Sequence, residues 1–161
     1  MTIREAIEAD LAAIAEITNH YIVTTAIHFA YEPLAVEQFV AMWAARGKHP
    51  WFVAERDGRV VGYAKSGSWR DRAAYAWTCE IGLYVAHDVR GGGIGTALYR
   101  ALLDELPRRG FHSAVAGITL PNDPSIALHR KFGFAHVGTF EDAGWKHEAW
   151  RAVDFWQKKL A

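Results

Sequence analysis

Apolar residues in the first third of the chain recur first with a strand period and then with a helical one. A short strand is predicted over residues 2–6, and Asp10 can cap a helix whose apolar positions recur every three or four residues. The run at residues 19–25 contains β-branched side chains, which disfavour an extension of this helix. A second helix is predicted over residues 35–46, with Gly47 at its end.

The central part of the chain is typical of strands joined by polar loops. Residues 51–55 and 60–66 predict a hairpin around the turn signal Asp57-Gly58. A polar loop over residues 67–75 then leads into an apolar strand over residues 77–85.

The last part of the chain continues the alternation of helices and strands. A helix is predicted over residues 95–109, with its last turn broken or kinked by Pro107. The remaining predicted elements are strands over residues 113–118, 134–140 and 150–157 and a short helix over residues 125–132. With no repeat or linker, the pattern predicts one domain over residues 1–161, of the α/β (α+β) class, with helices covering a sheet.

Composition narrows the functional classes. The chain has 161 residues, and its 18 basic and 18 acidic side chains cancel, so no global field points to nucleic acid or to an anionic membrane. No apolar run approaches the roughly 20 residues of a membrane span, and the N-terminus lacks the apolar core of a signal peptide. The single cysteine, Cys79, favours a reducing cytoplasm and reads as core rather than nucleophile. The histidines lack metal-ligand spacing, so we expect no metal.

A glycine-rich stretch lies between the strand ending at residue 85 and the helix that follows it. Successive glycines allow backbone N–H groups to approach a ligand closely, and the helix N-terminus adds unpaired N–H groups and a positive dipole end. The stretch therefore predicts a pyrophosphate site, although a flexible connection has the same composition. Its residues are Arg90, Gly91, Gly92, Gly93, Ile94, Gly95 and Thr96.

The spacing within this stretch distinguishes among phosphate ligands. A nucleotide-binding P-loop requires a Lys-Ser/Thr pair after the last glycine, which is missing here. A dinucleotide fold requires Gly-x-Gly-x-x-Gly near the start of a βαβ unit. The observed Arg-x-x-Gly-x-Gly pattern instead resembles the coenzyme A signature of the GCN5-related N-acetyltransferases.

The resemblance extends over nearly the whole chain. Residues 122–134 are similar to the family element Asn-x-x-Ala-x-x-x-Tyr-x-x-x-Gly-Phe, with Ser125 in place of Ala and His129 in place of Tyr. The runs Asn-His-Tyr-Ile at residues 19–22 and Trp-Thr-Cys-Glu at residues 77–80 resemble the phosphinothricin and methionine sulfoximine N-acetyltransferases. The resemblance implies a mixed, mostly antiparallel, seven-stranded sheet, splayed between its fourth and fifth strands, in a homodimer.

The resemblance also implies acetyl-CoA as cosubstrate. The backbone of Leu83, Tyr84 and Val85 is expected to bind the pantetheine arm and to polarise the thioester. Asn122 and Ser125 are expected to contact the coenzyme as well.

Glu80 and His129 are the candidate catalytic residues. Alternation along the strand puts Glu80 on the face opposite Cys79 and Ile81, which is also what an ordinary exposed strand glutamate would show. The resemblance implies that Glu80 is the general base, acting directly or through a water. His129 is either a leaving-group acid or sulfur ligand, or a plain surface-helix histidine.

The acceptor pocket is expected to hold an anionic group. Arg70, Arg72 and Tyr75 match positions that line this pocket in the branch, and guanidinium groups pair well with carboxylate or phosphinate. Loop arginines are otherwise commonly just solvated. The same matching gives three further candidates, Phe29, Thr119 and Val153.

The leading hypothesis is an acetyl-CoA-dependent N-acetyltransferase that acts on the α-amine of a small amino-acid-like acceptor. One alternative keeps the cofactor and changes the acceptor to a polyamine, an aminoglycoside or a protein amine, for which an acidic pocket would be expected. Another is a non-catalytic acyl-CoA sensor, which would not need Glu80.

Overall fold

A single mixed sheet of seven strands forms the centre of the molecule. The structure is a computed structural model and describes residues 1–160, so residue 161 of the predicted domain lies outside it. The strand order is β1-β2-β3-β4-β5-β7-β6, and all neighbouring strands are antiparallel except β4 and β5. The strands are β1 (Thr2–Glu5), β2 (Trp51–Arg56), β3 (Arg59–Ser68), β4 (Thr78–Val85), β5 (Ser113–Thr119), β6 (Ala135–Lys146) and β7 (Ala149–Lys159). The predicted fold class and strand number are confirmed.

Four α-helices cover the two faces of the sheet and divide the core in two. They are α1 (Leu11–Thr24), α2 (Val36–Ala44), α3 (Ile94–Arg108) and α4 (Asp123–Lys131). One core packs α3 and α4 against the face that carries Cys79 and Ile81. The other packs α1 and α2 against the opposite face, around Tyr63 and Phe39. Among the described residues, no helix combines the length and the apolar character of a membrane span.

The sheet opens between β4 and β5. Strand β4 pairs with β3 without a shift from Gly62 to Ser68, but it pairs with β5 only from Thr78 to Glu80. Both strands continue beyond that point, so their far ends diverge and leave a cleft. The splay that the resemblance implied is therefore confirmed.

The end of α1 and the expected break in α3 differ from the sequence prediction. Helix α1 continues to Thr24 through the β-branched run, because Ile22 within that run is fully buried. Tertiary packing thus overrides a weak local preference. Helix α3 continues through Pro107 to Arg108, since a proline in the last turn removes only one backbone bond.

The closing hairpin is longer than predicted. Strands β6 and β7 extend to a two-residue turn at His147 and Glu148, which have positive φ angles of 51° and 57°. Such turns are usually signalled by Asn-Gly or Asp-Gly, and neither pair is present here. The sequence prediction for β6 therefore ends at residue 140, six residues too early.

A buried lysine ties the end of this hairpin to the connection between α1 and α2. Lys146 is 3% exposed, and its ammonium donates to the carbonyls of Ile22 and His28. The ring of Phe29 occupies the space that a side chain at Gly144 would need. Residues 25–31 are thereby held over the open side of the sheet.

Candidate active site

The cleft between β4 and β5 brings together the predicted coenzyme residues that lie outside the glycine stretch. Its walls come from the diverging strands and from the start of α4. Its lining includes Leu83, Tyr84, Val85, Thr119, Asn122, Ser125 and His129. The cleft is therefore the candidate active site.

The backbone of β4 offers unpaired amides to this cleft. The carbonyl of Val85 accepts a hydrogen bond from the Tyr21 hydroxyl at 2.5 Å, whereas the next amide, Ala86 N–H, donates to Val61 on β3. Because backbone direction alternates along a strand, the amides of Leu83 and Val85 point away from β3. They can donate to a ligand that lies along the cleft, as was expected for the pantetheine arm.

The glycine stretch opens α3 with a backbone that is turned for ligand approach. Gly91, Gly92 and Gly93 all have positive φ angles, and Gly93 is the residue before the first turn of α3. No protein atom lies within 4 Å of a Cβ placed at Gly91 or at Gly93. The stretch therefore forms an open cradle next to unpaired helix amides, which fits a pyrophosphate.

Asn122 begins α4 at the edge of the cleft. Its side-chain oxygen accepts from the Ser125 amide at 3.3 Å, which caps the helix. This leaves the side-chain NH₂ group of Asn122 as the group available to a ligand.

His129 is buried, and both of its ring nitrogens are hydrogen-bonded. Nδ1 lies 2.6 Å from the Ser125 carbonyl, which can only accept, so Nδ1 carries the proton. Nε2 then accepts from the Tyr99 hydroxyl at 2.9 Å. Burial lowers the pKa of His129, and this favours the neutral ring that the hydrogen bonds require.

Glu80 lies where the two strands part, on the face that carries Gly82 and Tyr84. Although Glu80 is exposed, the surrounding protein removes water from part of its carboxylate and raises its pKa, and the nearby Lys65 ammonium opposes that shift. Removal from water also raises the pKa of Tyr84 to about 12. A carboxylate with a raised pKa is a better proton acceptor at neutral pH than an ordinary glutamate.

The arginine loop forms a concavity of its own beside the cleft. It is lined by Trp69, Arg70, Asp71, Arg72 and Tyr75. The guanidinium of Arg70 lies over the rings of Trp69 and Tyr75, at 5.1 and 5.9 Å from their centroids. Trp69 in turn contacts Phe155 of β7, which holds this loop over the sheet.

The weaker acceptor candidates gather on the same side of the sheet as Glu80. Thr119 pairs with Val153, and side-chain alternation along β5 and β7 puts both on the face of Glu80. The Thr119 hydroxyl points at the Ile27 carbonyl at 3.5 Å. The connection between α1 and α2, which includes Phe29, therefore covers this region.

Several residues near the site were missed by sequence reasoning. Tyr21 reaches Val85, the Arg56 guanidinium stands where a side chain at Gly92 would be, and Lys65 faces Glu80 from β3. Tyr99 belongs to the core, but its hydroxyl is also the hydrogen-bond partner of His129. No local motif marks these residues, because each reaches the site only through strand register or helix packing.

Comparisons with known proteins agree with this architecture. The sequence model of the acetyltransferase (GNAT) family matches residues 14–134. A phosphinothricin N-acetyltransferase of Streptomyces viridochromogenes is 43% identical over 97% of this chain and 86% of its own. An L-methionine sulfoximine/L-methionine sulfone acetyltransferase of Salmonella typhimurium is 38% identical over 99% of this chain and 95% of its own.

A solved structure shares the whole fold. It is a GNAT superfamily phosphinothricin acetyltransferase from Sinorhizobium meliloti in complex with AcCoA. It superposes with a TM-score of 0.95 at 32% identity, and the match covers 99% of this chain and 88% of that one.

Replacing Gly93 with valine is expected to weaken coenzyme A binding about 10-fold or more, since the added side chain fills the cradle. Isothermal titration calorimetry with coenzyme A measures the effect. Gly47→Val is the matched control, because Gly47 also has a positive φ (57°) and a Cβ placed there would meet no protein atom within 4 Å, but it lies at the end of α2. Equal affinity of the Gly93 variant and the wild type would contradict the assignment of this stretch.

Proposed function

Since the chain belongs to the acetyltransferase (GNAT) family and is an acetyl-CoA-dependent N-acetyltransferase, we propose that it acetylates the α-amine of a small amino-acid-like acceptor. Phosphinothricin and methionine sulfoximine are the representative acceptors, because the relatives that are 43% and 38% identical carry those names. The observation that carries the proposal is a glutamate on an open face at the point where the sheet splays.

We propose that Glu80 is the general base of the reaction. An α-amine is mostly protonated at neutral pH and must lose its proton before it can attack a thioester. Glu80 lies beside the cleft and has a raised pKa, so it can accept that proton directly or through a water. The amides of Leu83 and Val85 can then donate to the thioester oxygen as it gains negative charge.

Transfer is proposed to be direct, without an acyl-enzyme. Cys79 is the only cysteine, is fully buried and faces α3, away from Glu80. Burial raises the pKa of its thiol to about 12, which suppresses the nucleophilic thiolate. A buried free thiol also suits a reducing compartment, so the proposal includes a cytoplasmic location.

His129 is proposed to act on the departing sulfur through Tyr99. Both ring nitrogens of His129 are already bonded, and the Tyr99 hydroxyl that it holds lines the cleft. Because the Tyr99 hydroxyl donates its one proton to His129 Nε2, it is left to accept a hydrogen bond from the S–H of the departing coenzyme A, and His129 sets the orientation of this hydroxyl.

The acceptor is proposed to be anionic. Arg70 and Arg72 line a concavity with Tyr75, and Asp71 is the one acidic side chain of its lining. Cationic acceptors such as polyamines and aminoglycosides would favour an acidic pocket instead. A non-catalytic acyl-CoA sensor would have no use for a base at Glu80.

The enzyme is also proposed to form a homodimer through the β6–β7 hairpin. Four large apolar side chains of this hairpin are exposed, and Trp145 and Trp150 contact each other with ring centroids 5.1 Å apart. The four are Val137, Phe140, Trp145 and Trp150, between 48% and 65% exposed. Exposed apolar side chains of this kind suit burial against a second copy.

Replacing Glu80 with glutamine is expected to lower kcat/KM about 100-fold or more at pH 7, the usual share of general-base catalysis. Wild-type activity should fall as the pH drops through the raised pKa of Glu80, and this limb should be missing in the variant. The defect should shrink as the pH rises and free amine accumulates. A thiol-release assay gives the profile, with Glu37→Gln on the surface of α2 as control, and full activity at pH 7 would remove Glu80 from the reaction.

Replacing Arg72 with alanine is expected to raise KM for phosphinothricin about 10-fold or more, because charge-assisted hydrogen bonds contribute about 1.5–3 kcal/mol each. Coenzyme A affinity should not change. Esterification of the acid group that Arg72 binds should raise the KM of the wild type by a similar factor. It should raise the KM of the variant little further, as expected for true partners. The control is Arg108→Ala on the exposed end of α3. A wild type that prefers esters or polyamines would instead favour the alternative acceptors.

Replacing Trp150 with glutamate is expected to convert a dimer into a monomer, because a charge would be buried in the apolar interface. Light scattering coupled to size-exclusion chromatography measures the mass. Val36→Glu, at an exposed apolar position of α2, is the control. A wild type with the mass of one chain would rule the dimer out.

A further inference from the structure

Lys65 lies on β3, beside the proposed base. It is directly opposite Gly82 of β4, while Gly67, two residues further on, lies opposite Glu80. Register partners share a face and alternate residues return to it. Lys65 and Glu80 are therefore diagonal neighbours on the acceptor face of the sheet.

The ammonium of Lys65 has no charged partner within the described part of the chain. It makes no ion pair with any residue of 1–160, Glu80 included. It lies over the Trp51 ring at 4.8 Å from the centroid. Both Glu80 and His28 lie near enough for its charge to lower their pKa values. Burial lowers the pKa of Lys65. A half-buried ammonium without a partner is costly, and a bound anion would offset that cost.

The space in front of Lys65 is open. A Cβ atom added at Gly82 or at Gly67 would meet no protein atom within 4 Å. These two glycines form a floor between Lys65 and Glu80 that no side chain fills. Gly82 also lines the cleft where the thioester is expected, so this floor is the place where an acceptor amine must lie.

We propose that Lys65 binds the α-carboxylate of the acceptor and thereby holds its α-amine against Glu80. This proposal rests on the proposed acetylation of an amino-acid-like acceptor. The carboxylate and the amine of an α-amino acid share one carbon atom, so the groups that hold them must converge on one spot. Diagonal neighbours across an antiparallel pair, about 7–8 Å apart at Cα, converge in this way when both side chains are long.

The site then has two anion subsites with different tasks. Lys65 recognises the carboxylate common to all α-amino acids, and Arg72 recognises an acid group at the far end of the side chain. Amines without an α-carboxylate leave the Lys65 ammonium unpaired and are rejected for that reason. The division of tasks predicts which acceptors each variant will lose.

The test compares two acceptors in two variants. Methionine sulfoximine is one acceptor, and the amine that lacks only its carboxylate is the other. Lys65→Met keeps the length of the side chain and removes its charge. Lys48→Met is the matched control, since the Lys48 ammonium also lies over an aromatic ring, at 4.4 Å from the centroid of Phe111, outside the site.

For methionine sulfoximine, Lys65→Met is expected to raise KM about 10- to 150-fold, the factor that corresponds to one charged hydrogen bond. The kcat should change much less. For the decarboxylated amine, KM should already be raised in the wild type and should change little further in the variant. Lys48→Met should match the wild type with both acceptors.

Coenzyme A binding by calorimetry should be unchanged in Lys65→Met, which shows that the variant is folded. Should it lose coenzyme A binding, Lys65→Gln, which keeps a polar end, takes its place in the same comparison.

An equal change in KM for both acceptors, or no change for either, would overturn the role of Lys65. A loss of kcat with both acceptors would also overturn it, because Lys65 would then act only on the charge of Glu80. A wild type that acetylates the decarboxylated amine as well as the amino acid would instead overturn the proposed function, and the proposal for Lys65 with it.

Discussion

The short parallel pairing between β4 and β5 is the constraint on which the rest of the site depends. The two strands share only three residue pairs, from Thr78 to Glu80, and then separate. The amides of Leu83 and Val85 are free for a ligand because of this separation, and Glu80 lies at its vertex. The glycine stretch that follows β4 comes to the mouth of the same opening, because it begins five residues after Val85. One interruption in the sheet thus brings Glu80, the free amides of β4 and the glycine stretch to a single opening.

The two sides of this opening are chemically different. On the coenzyme side the protein offers backbone amides and helix N-termini, which suit a long anionic ligand of fixed shape. On the proposed acceptor side it offers side-chain cations, Lys65 beside a floor of glycines and Arg72 in the neighbouring loop. The coenzyme side depends on backbone geometry, so most side-chain substitutions leave it unchanged. The acceptor side depends on side chains, so a single substitution can change which acceptor it binds. Lys65 is one position where the choice of residue would set that specificity.

Much of this arrangement could be predicted from the sequence, where local signals are strong. The glycine stretch, the strand that precedes it and the alternation that exposes Glu80 are all readable from neighbouring residues. The turn at His147-Glu148 could not be predicted, because non-glycine residues with positive φ leave no local signal in the sequence. The approach of Lys65 to Glu80 depends on the β3–β4 register, and the bond between Tyr99 and His129 depends on how α3 packs against α4. Contacts of this kind are set by tertiary packing.

The burial of Cys79 has a consequence for durability. Each turnover releases a free thiol, coenzyme A, into a cleft whose wall is the strand that carries this cysteine. Once an oxidant has converted coenzyme A to its disulfide, a reactive cysteine there would exchange with that disulfide, forming a mixed disulfide with the enzyme and releasing one coenzyme A thiol. Cys79 instead points to the opposite face of β4, is 0% exposed and has its pKa raised to about 12, so it resists both oxidation and exchange. The enzyme is in this way protected from inactivation by the disulfide form of its own product.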